Sequence, residues 1–262
     1  MKSRTSMLAL ACLLSAGAML ASSAVRARKA LPPPIQALKA HGIKIAGQFS
    51  APDGLTGYAI NYQGQAVAVY VTPDGKHAIV GTMIDSQGHN LSSAPLDRLI
   101  TYPQNRKAWK ELKQSNWIGY GSAKASRVVY LFIDPNCPYC HEFLREAKPW
   151  VRAGKVQIRN VVVAMLRPSS LPKAAAILSA KNPATALLHN QQHYGSGGIA
   201  PARQVSGKVR ARIAANNRLM YSLGLQATPV IYYHDTDGHV ASRQGLPPAG
   251  GLATIMGSPR PR

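Results

Sequence analysis

The sequence is poor in acidic residues, in cysteine and in long apolar runs, and each shortage excludes a class of protein. Only 10 of its 262 residues are Asp or Glu, against 31 Lys or Arg, so a net charge of +21 excludes an acidic protein. Three cysteines are too few for a disulfide-rich scaffold. After residue 24, no apolar run approaches the roughly 20 residues that span a bilayer. A hydrophobic fraction of 46% still predicts one or two folded domains rather than disorder.

Residues 1–24 have the pattern of a cleavable export signal. Lys2 and Arg4 precede an uncharged apolar run, Met7 to Leu20, and Ser22-Ser23-Ala24 offers small residues for cleavage. The apolar run is too short to cross a membrane. We therefore expect an exported mature protein, located in the periplasm of a Gram-negative cell.

After removal of the signal, the cysteines of the chain are confined to one motif. Cys12 lies in the middle of the apolar run, which argues against a lipid anchor, and it leaves with the signal. The mature chain retains only Cys137 and Cys140. Two cysteines three residues apart close almost no loop, so in an oxidising compartment the pair is predicted to be reactive rather than structural.

Residues 25–100 are predicted to form a small antiparallel β domain. A basic, proline-rich lead-in over 25–34 precedes a short helix over 35–41. Apolar and polar residues then alternate between turn signals over 44–91, which is typical of a β-meander. So small a sheet needs a cover for its open face, and a second copy of the chain would provide one.

Residues 101–121 have helical spacing and end in Gly119 and Gly121, which predicts a linker helix with a hinge. From residue 122 onward the pattern is that of an α/β domain with a helical insertion at about 169–224. The remaining predicted elements are strands over 128–133, 156–166, 230–233 and 240–243, a helix from the cysteines to about Trp150, and a last helix over 248–257.

The basic charge belongs to the second half of the chain. Residues 35–100 hold four basic and four acidic residues, whereas residues 101–262 hold 22 basic and six acidic ones. An exported protein rarely meets nucleic acid, so we do not expect a nucleic-acid partner. A solvated basic exterior is the favoured interpretation, and attraction to acidic client proteins or envelope polymers is the alternative.

The motif Cys137-Pro138-Tyr139-Cys140 follows a predicted buried strand and is predicted to open a helix. Unpaired N–H groups and the positive end of the helix dipole favour a thiolate at that position. We expect Cys137 to be exposed, nucleophilic and of low pKa, and Cys140 to be buried and to resolve the mixed disulfide. His141 either tunes the pKa of the thiolate or faces solvent.

Thr228-Pro229 stands immediately before a predicted strand. A proline there is compatible with an edge or a special bend. We expect a cis peptide that sets the Thr228 backbone beside the cysteine pair, where it would bind an extended client.

The order strand, DPNCPYCHEF, helix, helical insertion, ATPVIYY and final helix resembles a thioredoxin fold. Behind a signal, a β domain and a linker helix, this layout is similar to the DsbC/DsbG family of thiol:disulfide interchange proteins, and CPYC favours its DsbG branch. The resemblance implies a cystatin-like N-terminal β dimerisation domain, a homodimer with a client-binding cleft, and a DsbD-like membrane reductase as partner. It also implies that Cys137, Cys140, Thr228 and Pro229 form the active site, without a cofactor or metal.

One position departs from related oxidants. Many thioredoxin-like proteins have a buried acid six residues before the first cysteine, where this chain has Leu131. Deprotonation of Cys140 must then take another route, with water as the candidate.

Four rival interpretations remain. CPYCH also matches the attachment motif of c-type haem, with His141 as iron ligand. A zinc site lacks a fourth ligand at suitable spacing, and a glutaredoxin-like protein would need neither export nor the β domain. A dimeric chaperone with incidental cysteines is the non-enzymatic alternative.

Within the redox class, the predicted dimer favours roles that start from the reduced state. These are isomerisation of wrong client disulfides and reduction of sulfenylated single cysteines.

Overall fold

The computed structural model describes residues 30–262, so the predicted export signal and Cys12 lie outside the described residues. Two β-sheets dominate this part of the chain, one of four strands and one of five. None of its helices is both long and apolar enough to cross a bilayer.

The first sheet confirms the predicted meander. Its strands are antiparallel and neighbours in sequence are neighbours in space. The elements are α1 (Pro33–Ala40), β1 (Lys44–Ser50), β2 (Thr56–Tyr62), β3 (Gln65–Val71) and β4 (Ala78–Val80). All three residues of the edge strand β4 are exposed.

One face of this sheet packs around an aromatic pair. The rings of Phe49 and Tyr70 meet edge to face, 5.8 Å between centroids, and Ile100 lies in the same core. A Cβ atom on Gly57 would lie 2.2 Å from the Phe49 ring, so only glycine fits opposite that ring. The aromatic packing thus accounts for the glycine at the second position of β2.

The segment between the sheets differs from the predicted linker. It consists of α2 (Ser93–Leu96), a π-helical turn (Asp97–Thr101) and α3 (Tyr102–Gln114), and it leads into β5 (Trp117–Tyr120), an edge strand of the second sheet. The predicted linker helix over 101–121 therefore ends at Gln114, and Gly119 lies within a strand. Ser115 is extended, and the following large apolar residues pair with the second sheet, which outweighs the helical spacing.

α3 is packed rather than free. Its buried residues Ala108, Trp109 and Leu112 share a core with the second sheet. The Trp109 ring contacts the ring of Tyr130 edge to face at 4.8 Å. The helix is consequently part of the second domain, not a hinge beside it.

The second sheet has the order β5-β7-β6-β8-β9. β6 and β7 are parallel, and the other neighbouring pairs are antiparallel. Its remaining elements are β6 (Arg127–Ile133), α4 (Pro138–Arg152), β7 (Val156–Val162), α5 (Ser170–Ser179), α6 (Pro183–Gln192), α7 (Gly207–Ser222), β8 (Val230–His234), β9 (Val240–Gln244) and α8 (Gly251–Met256). The predicted helical insertion thus comprises α5, α6 and α7.

Helices cover both faces of this sheet. Val129, Leu131 and Ile133 of β6 belong to the core formed with α4 and α5, whereas Tyr130 and Phe132 belong to the core formed with α3. All five are fully buried. Burial on both faces of the sheet therefore explains the continuous apolar run in β6, as the sequence predicts.

Candidate functional site

Cys137 is the first residue of the site and also the N-cap of α4. Its sulfur accepts a hydrogen bond from the backbone N–H of Cys140 at 3.1 Å, in the position that a Ser or Asp oxygen usually takes at a helix start. Pro138 is the first helical residue and has no N–H to leave unpaired. The i,i+3 spacing of the motif thus brings the two cysteines together.

The two thiols differ in acidity. A hydrogen bond with the Cys140 thiol, helped by Thr228 and the Cys140 N–H and opposed by burial, lowers the pKa of Cys137 to about 7. Burial, followed by the hydrogen bond and the charge of Cys137, raises the pKa of Cys140 well above its usual value. Near neutral pH the pair therefore has one partly ionised thiol and one protonated thiol.

Cys137 is less accessible than the sequence predicts. The motif predicts an exposed thiol, yet Cys137 is only 1% exposed, while Cys140 is fully buried as expected. Among the groups around it, the Thr228 carbonyl accepts a hydrogen bond from the Cys137 thiol at 3.4 Å. A client sulfur can reach Cys137 only after the groups above it move aside.

The Thr228 carbonyl lies beside Cys137, where the prediction put the Thr228 backbone, and Pro229 follows it. The peptide between them is cis, and the Pro229 carbonyl accepts a hydrogen bond from the Gly245 N–H at 2.9 Å. β8 begins at the next residue, Val230, in the interior of the sheet. The proline is therefore tolerated because it precedes the ladder and interrupts no strand hydrogen bond.

His141 does not lie fully in solvent. It is half-buried, and its ring stacks on the ring of Tyr194 with 5.0 Å between centroids. Within residues 30–262, its buried Nδ1 atom has no hydrogen-bond partner. A role for His141 in tuning the thiolate stays a prediction.

Sequence analysis did not identify Asp134 as a site residue. Its carboxylate is fully buried and accepts four hydrogen bonds. The donors are the N–H groups of Asn136, Met165 and Leu166 and the hydroxyl of Ser170, at 2.8 to 3.1 Å. Three of these donors lie more than 30 residues away, so no local pattern could have predicted them. The carboxylate joins the turn before Cys137 to the segment after β7.

Leu131 occupies the position of the buried acid found in related oxidants. It is fully buried in the same core as both cysteines. The position is therefore apolar, and Cys140 has no acid–base partner there.

Two family models match the chain. The model described as the disulfide bond isomerase protein N-terminal domain matches residues 20–93, and a thioredoxin-like domain model matches residues 120–257. The first covers the β-meander and the second covers the five-stranded sheet with the cysteine pair. The matched pair of domains is the combination that the sequence predicted.

Known proteins resemble the chain in sequence and in structure. The thiol:disulfide interchange protein DsbG of Pseudomonas aeruginosa is 46% identical over 88% of this chain and 90% of its own. That of Escherichia coli is 41% identical over 87% of this chain and 92% of its own. The catalytic domain of Proteus mirabilis ScsC shares the fold, at 19% identity and a TM-score of 0.50, over 60% of this chain and 96% of its own. With the paired thiols of unequal acidity, these matches show that the chain belongs to the DsbC/DsbG family of thiol:disulfide interchange proteins.

Proposed function

We propose that the chain acts from its reduced state on client proteins, as an isomerase of wrong disulfides and a reductase of sulfenylated cysteines. Cys137 is the attacking group and Cys140 the resolving group. The observation that carries this assignment is the position of the Cys137 sulfur as N-cap of α4, where the N–H of Cys140 points at it. A thiolate is a better acceptor at that position than a thiol.

The first step forms one bond and breaks another. The Cys137 thiolate attacks one sulfur of a client disulfide, a new S–S bond forms, and the second client sulfur leaves as a thiolate. If that thiolate attacks a different client disulfide, the thiolate displaced there can attack the client sulfur bonded to Cys137. This forms the rearranged client disulfide and releases Cys137 as a thiolate, without net oxidation. If Cys140 attacks the Cys137 sulfur instead, the client leaves reduced and Cys137 and Cys140 are joined as a disulfide.

A sulfenylated client follows the same course. The Cys137 thiolate attacks the sulfur of the client S–OH group, and the oxygen leaves as water after taking up a proton. Cys140 then releases the reduced client. Each such cycle oxidises the cysteine pair by two electrons, which a DsbD-like membrane reductase would return.

Cys140 becomes easier to deprotonate once the mixed disulfide has formed. Burial is the main reason that its pKa is high, but the next two are a hydrogen bond and a charge, both from Cys137. The charge vanishes when the Cys137 sulfur is bonded to a client, and the sulfur also becomes a weaker acceptor. This change favours resolution at the required moment without a buried acid at Leu131.

We assign Thr228 and Pro229 to client binding. Thr228 is 8% exposed and its carbonyl lies 3.4 Å from the Cys137 sulfur. A client backbone lying along this residue would pass directly over the nucleophile. Its main-chain groups could then pair with those of Thr228 as a short strand does.

The proposed assembly is a homodimer in the periplasm, formed through the first sheet. Four large apolar side chains in and after β4 are between 37% and 63% exposed, and they are Ile79, Val80, Ile84 and Leu91. Exposed apolar side chains beside the edge strand of a sheet are typical of a subunit interface. The export pattern of residues 1–24 supports the location.

The test compares two substrates of the reduced mature protein, a scrambled multi-disulfide protein and a protein with one sulfenylated cysteine. We expect turnover of both by the wild type and of neither by Cys137→Ala. Suppression of client aggregation serves as the control, because a binding cleft without redox chemistry would retain it. Full turnover by Cys137→Ala would contradict the proposal.

A further inference from the structure

The helical insertion holds the turn before Cys137 through side chains that the redox steps do not use. The fully buried Asn190 donates a hydrogen bond from Nδ2 to the Pro135 carbonyl at 3.0 Å. Lys173 donates from Nζ to Oδ1 of Asn136 at 2.9 Å. The Tyr194 hydroxyl donates to the backbone carbonyl of Asn136, also at 2.9 Å. That carbonyl belongs to the peptide bond that leads into Cys137.

Tyr194 has a second contact on the other side of the cysteine motif. Its ring stacks on the ring of His141 at an interplanar angle of 14°. His141 directly follows Cys140, whereas Asn136 directly precedes Cys137. One side chain therefore contacts both residues that flank the motif.

We propose that Tyr194 is a positioning residue of the cysteine pair, which holds the peptide before Cys137 with its hydroxyl and the start of α4 with its ring. It acts through Asn136 and His141 and not on the sulfur itself. The inference rests on the proposed role of Cys137 as nucleophile, but its test measures ionisation and needs no turnover.

The hydroxyl affects the thiolate for an electrostatic reason. The Asn136 carbonyl oxygen carries partial negative charge near the position where Cys137 ionises, and a donated hydrogen bond offsets that charge. The same bond fixes the turn that aims the Cys137 sulfur at the Cys140 N–H. Without the hydrogen bond from Tyr194, the distance and angle between the Cys137 sulfur and the Cys140 N–H would vary more.

The pKa of Tyr194 reflects its position near the cysteine pair. Burial and then the charge of Cys137 raise the pKa of Tyr194, and Cys140 and Asp134 raise it further. Arg167 acts in the opposite direction. The tyrosine and the nucleophile therefore lie within electrostatic reach of each other.

The test is the substitution Tyr194→Phe, which removes the hydroxyl and retains the stacked ring. The matched control is Tyr221→Phe, since Tyr221 is 53% exposed on α7 of the same insertion. We expect Tyr194→Phe to raise the pKa of Cys137 by about half a unit, measured by thiolate absorbance against pH. Alkylation of Cys137 at about pH 6 should then slow about threefold.

One outcome would overturn the positioning role of Tyr194, and another would separate it from the proposed function. If Tyr194→Phe and Tyr221→Phe both titrate as the wild type does, Tyr194 has no positioning role. If Tyr194→Phe titrates as expected and the wild type still fails on both client substrates, the positioning role stands and the proposed function fails.

A second measurement covers the case in which Tyr194→Phe folds poorly. In Cys137→Ala, the thiolate charge is gone, so the pKa of Tyr194 should fall, as read by NMR of the labelled ring. An unchanged pKa of Tyr194 in that variant would overturn the inference.

Discussion

The Cys137 sulfur and the backbone nitrogen of Cys140 lie 3.1 Å apart, with the N–H donated to the sulfur. This single contact makes the nucleophile the cap of the helix that it begins. Ionisation of Cys137 strengthens this capping hydrogen bond, so the start of the helix stabilises the thiolate.

The first prediction concerns the Cys140 side chain. Because its thiol is the largest influence lowering the pKa of Cys137, Cys140→Ala should raise that pKa by about one unit, from about 7. Cys140→Ser retains a hydroxyl donor and should titrate closer to the wild type. Thiolate absorbance of the reduced proteins measures both. If Cys140→Ala titrated as the wild type does, the side chain at 140 would have no such influence.

The second prediction is a pH dependence of stability. The pKa of Cys137 is about 7 in the folded protein, below the value of about 8.5 for an unfolded cysteine. The folded state therefore releases its proton first, so the stabilisation is present above about pH 8.5 and is lost as the pH falls through 7. The free energy of unfolding of the reduced wild type, relative to that of Cys137→Ala, should rise by about 1 kcal/mol from pH 6 to pH 8.

Urea unfolding under reducing conditions measures this difference at each pH. The rise should flatten above about pH 8.5, because Cys137 is then ionised in both the folded and the unfolded protein. A difference that is constant between pH 6 and pH 8 would contradict the low pKa of Cys137.

The third prediction tests the dimer. Ile79 is 59% exposed in the edge strand β4, so Ile79→Lys would place an unpaired charge in the proposed interface. We expect the dimer to weaken at least about tenfold in sedimentation equilibrium. Tyr221→Lys, at a 53% exposed position in α7, is the control and should leave the dimer intact. A monomeric wild type, or an Ile79→Lys dimer of full strength, would refute the assigned interface.

Elements with strong periodicity were predictable from the sequence. The continuous apolar run of β6 indicated a strand buried on both faces, and the alternation in β2 and β3 indicated the meander. The family membership confirms the predicted class of thiol:disulfide interchange proteins. Prediction was wrong at Trp117–Tyr120, where pairing with β7 outweighs the helical spacing of the preceding residues.

The surroundings of the nucleophile were less predictable for a physical reason. Cys137 is hydrogen-bonded to the backbone of Thr228, which lies 91 residues later in the chain. Tyr194 and Asn190 likewise reach the turn before Cys137 from more than 50 residues away. Local patterns give the strand, the turn and the helix, but such contacts depend on how the insertion packs.

The most direct test of the central claim is trapping of the mixed disulfide. In Cys140→Ser the client should remain bonded to Cys137, because the hydroxyl that replaces the resolving thiol cannot attack the sulfur. Mass spectrometry of the isolated complex should identify that bond. In Cys137→Ser no complex should accumulate. A client bonded to Cys140 in Cys137→Ser, at the yield seen for Cys140→Ser, would contradict the assignment of Cys137 as the attacking thiol.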